Sequence, residues 1–241
     1  MQYNRIVLNE PHASVEGLYD GMLSFWDIDD RFINEVVLKW TDWHTDYLFH
    51  GYQDDTIKAV RFPYSRFIVD AERLWNDPLE SDGQGIVYRR FDRYVRNVPP
   101  ASEERLLFLW KWHQARLREN LCPGALLLDC HSFPGDLSEV DICIGFNEDW
   151  SKPSRETLEL AVNLFEESGY KVGINRPYGN SETPACPFSY QSMMLEVNKR
   201  AYMEDGSLYL KTRMDYKRSV HELTGMLLSS LSGKRTSSLS G

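Results

Sequence analysis

Ala125-Leu126-Leu127-Leu128-Asp129-Cys130-His131 is apolar without alternation and closes on an acid and an imidazole. A strand with one wet face alternates apolar and polar residues. A continuous run fits a strand buried on both faces, as in a sheet held between helical layers. The sequence on either side agrees. Upstream, Ser102 to Asn120 is predicted as a helix, with Ser102 as its cap and Leu106, Leu107, Leu109, Trp110 and His113 along one face; Cys122-Pro123-Gly124 ends it. Downstream, Val140 to Phe146 reads as a strand. Ser154 to Gly169 reads as a helix, with Leu158, Ala161, Val162 and Phe165 inside and Gly169 after its end. Tyr170 to Ile174 and Ser192 to Val197 read as further strands, and His221 to Leu231 as a last helix. Toward the N-terminus, Arg5 to Asn9 is a strand that runs into Glu10-Pro11-His12. Asp29 to Trp40 is helical by the spacing of Phe32, Val36, Val37 and Trp40, and Phe67-Ile68-Val69-Asp70 is a second short strand. Strands alternating with helices predict an α/β three-layer sandwich with a mostly parallel central sheet.

The chain of 241 residues shows no internal linker, so residues 1–228 are expected to form a single catalytic α/β domain. Ser-Ser-Leu-Ser-Gly occurs at 229–233 and again at 237–241, which predicts a flexible Ser/Gly-rich tail over 229–241. A net charge of −9 is the wrong sign for coating a duplex, so nucleic acid is excluded as a partner. No apolar run approaches the ~20 residues that span a bilayer, and the first residues lack a signal-peptide core. Cys122, Cys130, Cys143 and Cys186 form no CxxC pair and read as reduced core residues. The expectation is a cytoplasmic protein that binds no membrane.

Ligands in open α/β sheets collect at the carboxyl ends of strands. The polar residues there are His12 and Glu16; Arg66, Asp70 and Arg73; Asp129, His131 and Ser132; and Glu196 and Asn198. His12, Glu16 and His131 make a His/Glu/His set of the kind that holds a catalytic zinc with one open position. Asp129, two residues before His131, is placed to accept the other imidazole N–H. Asp42, His44 and Asp46 are a rival ligand set, or alternatively an acidic helix N-terminus. Glu196 ends an apolar strand, as a general acid/base or as a salt-bridge partner of Lys199 or Arg200. Arg66 and Arg73 suit a bidentate grip on a carboxylate, or an ion network with Asp70, Glu72 and Asp77.

Five segments in order resemble the N-formylglutamate amidohydrolase family. Glu10-Pro11-His12-Ala13-Ser14 is similar to its Pro-His-Ser/Ala-Gly turn. Arg66 to Arg73 with Asp77-Pro78 is similar to R-x-x-x-D-x-N-R-D-P, and Asp129-Cys130-His131-Ser132 to D-x-H-S. Asn175-Arg176-Pro177-Tyr178-Gly179 follows, and then Leu195-Glu196-Val197-Asn198 with Tyr202-Met203. The resemblance implies a zinc-exopeptidase-like, phosphorylase/hydrolase-like fold, similar to zinc carboxypeptidases and aspartoacylase. It implies one Zn2+ or Co2+ per chain on His12 and His131, with Glu16 as third ligand, and a metal-activated water. Glu196 would be general base and proton shuttle, and Arg66 would polarise the carbonyl and hold the oxyanion. Arg73 would clamp a substrate carboxylate, with Asn175, Tyr178 and Asn198 also facing substrate. Two positions depart from the family pattern: Ser14 replaces Gly and Glu72 replaces Asn. An ionised Glu72 repels a carboxylate where Asn donates to it, so formylglutamate and a related N-acyl amino acid or small amide both stay open. The expected function is a metal-dependent amidohydrolase that cleaves the linear C–N amide of a small substrate carrying a carboxylate. A metallopeptidase or peptidoglycan amidase of related fold, or a non-catalytic carboxylate-binding protein, is the alternative.

Overall fold

A computed structural model of the chain describes residues 2–50, 55–212 and 216–233. In chain order its elements are β1 (Ile6–Glu10), α1 (Asp30–Phe32), a π-helical turn (Ile33–Val37), α2 (Leu38–Trp40), α3 (Thr45–His50) and β2 (Ile57–Arg61). The hairpin strands β3 (Arg90–Phe91) and β4 (Tyr94–Val95) and the long helix α4 (Pro100–Asn120) come next. Then follow β5 (Leu126–Phe133), β6 (Ile142–Gly145), α5 (Arg155–Glu166), β7 (Val172–Ile174), β8 (Gln191–Asn198) and α6 (Val220–Leu231). These residues divide into two compact units. One comprises the described residues within 1–10, 44–60 and 118–241; the other comprises Pro11–Trp43 and Arg61–Leu117.

The first unit carries a six-stranded sheet in the order β2-β1-β5-β8-β6-β7, flanked by helices. β5 runs parallel to both β1 and β8, while β6 is antiparallel to β8 and parallel to β7. The sheet is therefore mixed and mostly parallel, as predicted. All eight residues of β5 are buried, which is why its sequence never alternates. The Ser154 hydroxyl accepts from the Thr157 N–H at the start of α5. Ser219 and Glu222 cap α6 reciprocally. α6 runs to Leu231 and so takes in the start of the first Ser-Ser-Leu-Ser-Gly repeat, whereas 237–241 lies outside the described residues.

The second unit is built around stacked rings. Phe67 meets Phe32 at 5.9 Å and Phe91 at 5.2 Å, both edge to face. Leu106 of α4 joins the same core. The Arg96 guanidinium is buried and donates to the carbonyls of Leu23, Ser24 and Ile68, tying three loop positions together. Two expectations are corrected in this unit. Phe67–Asp70 is not a strand: Ile68 and Val69 N–H groups both turn back to the Ser65 carbonyl, and Asp70 N–H goes to Ile86. Its apolar run exists because loop residues fill a core, which a sequence cannot distinguish from a buried strand. The short β3 and β4 were not predicted, and neither was β2 of the first unit's sheet, whose Lys58 and Arg61 hide it at the edge. The long helix begins at Pro100, ahead of Ser102, since proline suits a first turn whose N–H groups lack helical partners. Among the described residues no helix is long and apolar enough to cross a membrane.

Candidate active site

In the first unit, the register of three parallel strands brings polar candidate residues to the carboxyl end of the sheet. Asn9 of β1 lies opposite Asp129 of β5, and His131 of β5 lies opposite Glu196 of β8. Asp129 and His131 are two residues apart and share a face, so His131 Nε2 comes within 3.1 Å of Asp129 Oδ1. Asn9 Nδ2 donates to the same oxygen at 2.8 Å, and the Glu182 N–H donates to Oδ2 at 3.0 Å. Asp129 is thus fixed from two sides beside the imidazole. On its other flank Glu196 is in register with Cys143 of β6. Burial pushes the Cys143 thiol up to about 11, so it stays protonated and is a poor nucleophile. Arg200, one alternative partner for Glu196, pairs with Asp141 at 3.2 Å instead.

The predicted substrate-facing residues of this unit divide. Asn198 accepts from Arg200 N–H and donates to the Val140 carbonyl, bracketing the turn after β8. Asn175, with φ of 50°, accepts from Phe146 N–H and donates its own N–H to Ile144, joining the ends of β6 and β7. The Asn198 amide and the Asn175 side-chain oxygen are occupied by backbone. Tyr178 is half-buried with its ring 5.9 Å from Phe133.

In the second unit His12 is the centre. Its Nε2 meets Asp70 Oδ1 at 2.8 Å, and both side chains are essentially inaccessible. The other Asp70 oxygen takes Arg66 Nη2 at 3.0 Å and the Tyr88 hydroxyl, and Arg73 Nε stands 3.6 Å away. Burial alone would raise the Asp70 carboxyl, but His12, Arg66 and Arg73 outweigh it and hold it well below the usual carboxylate range. Burial raises the Tyr88 phenol to about 12, so it keeps its proton and donates. An anionic Asp70 can only accept, which assigns the hydrogen between them to His12 Nε2 and turns Nδ1 the other way. Nδ1 stands 3.7 Å from Asp42 Oδ2 and 3.9 Å from Glu72 Oε2. His12, Asp70 and Glu72 form a group whose ligand atoms all lie within 4.8 Å of one another. An imidazole nitrogen facing carboxylates at such separations fits a divalent cation with N/O ligands after a slight contraction, since ligand bonds of ~2.0–2.2 Å set their spacing.

The remaining expectations fall as follows. Glu16 is exposed and belongs to no such group; Asp42, Asp70 and Glu72 surround His12 instead. Arg66 and Arg73 lie on Asp70, the ion-network alternative. Of Asp42, His44 and Asp46, only Asp42 joins His12. His44 Nε2 bonds the Leu208 carbonyl, and Asp46 sits in the first turn of α3. Tyr88 and Asn9 were missed: a lone tyrosine beside arginines, and an asparagine inside an apolar strand, carry no spacing signal.

The mixed sheet flanked by helices defines a layered α/β protein, and each of its two units carries a buried imidazole beside a carboxylate. Its family follows from the sequence: residues 6–203 match the model of N-formylglutamate amidohydrolase, and the chain belongs to that family. The fold is similar to a crystal structure of N-formylglutamate amidohydrolase from Ralstonia eutropha, with a TM-score of 0.77 at 17% identity, covering 97% of this chain and 94% of that one. A gene product of Agrobacterium tumefaciens is similar at a TM-score of 0.55 and 17% identity, covering 95% and 91%. No curated protein matches the sequence. The family supports an amidohydrolase.

Proposed function

We propose that the chain is a metal-dependent amidohydrolase that cleaves the linear amide of an N-formyl or N-acyl amino acid with water. What supports metal dependence is the state of His12: buried, anchored through Nε2 by Asp70, with Nδ1 opposite two carboxylates. His12 is the imidazole assigned to the cation, with Asp42 or Glu72 supplying the carboxylate. Zn2+ suits that donor set, and Co2+ is the natural substitute. When bound, the cation supplies Lewis acidity and lowers the pKa of water. Glu196 accepts the proton of the attacking water and delivers it to the leaving nitrogen. Asp70 holds the His12 imidazole, while Arg66, Arg73 and Tyr88 hold Asp70.

Metal content measured beside amine release from a panel of N-acyl amino acids tests this reading. One equivalent of metal, activity abolished by chelator and restored by Zn2+ or Co2+, is the expected result. Full activity after complete metal removal overturns it. Replacing Glu196 with Gln is expected to cost ~10²–10⁴-fold in kcat with metal retained. An unchanged rate removes the proton-shuttle role.

A further inference from the structure

The loop after His12 builds a second feature. Glu16, Tyr19 and Asp20, together with Ile33 and Val37 of the π-helical turn and Trp43, line an open cavity of about 560 Å³. That is the size range of small-molecule sites. Its walls are set in advance. Trp43 Nε1 donates to the Leu38 carbonyl at 2.9 Å, which fixes the indole. Ser65 N–H holds the Glu16 carbonyl at 3.0 Å, and Asp20 Oδ1 caps the Met22 N–H. Gly17 has φ of +83°, and a Cβ there would come 3.2 Å from Ile68 and 3.3 Å from Tyr64, so the loop closes down only because this residue is glycine. The π turn is a rare deviation that is common at functional sites, and here its Ile33 and Val37 line the cavity.

The lining has one chemical character. It is aromatic and aliphatic, its two charged members, Glu16 and Asp20, are acids, and no basic residue joins them. Aromatic faces and carboxylates both attract cations, while an anion gains from neither. We infer that this cavity binds an apolar, positively charged group, a branched or aromatic ammonium. In the reading above, which this clause rests on, that group belongs to the amide substrate, so the preferred substrate is cationic and not a dicarboxylate such as N-formylglutamate.

Calorimetric titration of the full chain with phenethylamine and with the isosteric anion 3-phenylpropionate tests the cavity without turnover. The amine is expected to bind at least about tenfold more tightly, and E16Q, on an exposed side chain, to weaken it about 3–5-fold. In turnover, an N-formyl amide bearing the apolar ammonium is expected to exceed N-formylglutamate in kcat/KM. Equal binding of the two probes, or none, overturns the cavity assignment even if N-formylglutamate is hydrolysed. Selective amine binding with neither amide cleaved keeps the cavity and removes the enzymatic reading. Selective amine binding with N-formylglutamate as the better substrate removes the substrate assignment alone.

Discussion

At Asp70 one inaccessible carboxylate meets an imidazole, two guanidiniums and a phenol. Its charge is what makes those four neighbours compatible. Replacing Asp70 with Asn keeps the volume and removes the charge, leaving Arg66 and Arg73 without their common anion. Breaking a buried ion pair in this way is expected to cost about 3–5 kcal/mol of unfolding free energy, read from urea denaturation. The same variant frees the ring orientation of His12, so metal affinity should fall ~10–100-fold in a competition titration. Undiminished affinity would show that Asp70 only holds the loop. A second comparison decides the carboxylate ligand. Glu72→Gln is expected to lower metal occupancy, whereas Glu16→Gln retains one equivalent, because Glu72 Oε2 faces His12 Nδ1 and Glu16 does not. The reverse pattern would return Glu16 to the metal. The sequence made one half of this chemistry legible. Asp129 and His131 stand two apart on a strand, and period two puts them on one face. Asp70 lies 58 residues from His12 and leaves no periodic trace, so its neighbouring arginines read equally as a grip on a substrate carboxylate or as an ion network.

The strands of the sheet were legible where both faces are covered, because burial then acts on every residue. β5 and β8 show this, with seven of eight β8 residues buried. The same logic misread Phe67–Asp70, where a core is filled from turns. Chain reversals between elements depend on backbone approach, which single residues reveal. Gly145 ends β6, and a Cβ there would sit 2.7 Å from the Asn180 carbonyl oxygen and 2.4 Å from Met194 Cε. The methionine can move, but the backbone carbonyl cannot move freely. Gly145→Ala is therefore expected to destabilise the protein by about 1–3 kcal/mol, as overpacking does. A melting temperature equal to wild type would mean that the 175–180 segment yields. The α6 capping box offers a milder check at the same scale. Ser219→Ala removes one acceptor and one reciprocal bond and should cost ~1 kcal/mol by thermal melting.

For the molecule as a whole, acid stability offers the broadest test, because it is a sum over groups buried in a fixed protonation state. His113 of α4 is inaccessible, with its ring 5.3 Å from Phe62. Burial, helped by Arg116 and His12, pushes its pKa from 6.5 down to about 3. The sequence placed it on a face of the long helix as a packing or a surface residue and gave no measure of how dry the site is. The folded chain thus keeps the ring neutral across a range in which the unfolded chain protonates it. Between those two values the unfolded state binds the extra proton, so stability is complete above about pH 6.5 and falls as pH drops. The slope for one group is ~1.4 kcal/mol per pH unit, which makes the loss about 2 kcal/mol at pH 5. Asp70 acts in the same direction, but its contribution is lost only below its ordinary titration range near 4, so the two windows separate. Urea unfolding at pH 7.5, 6 and 5 is therefore expected to show a decline in wild type that His113→Gln lacks. If both proteins weaken equally over that interval, the imidazole is reached by water or protonated in the fold, and the acid sensitivity belongs to other groups.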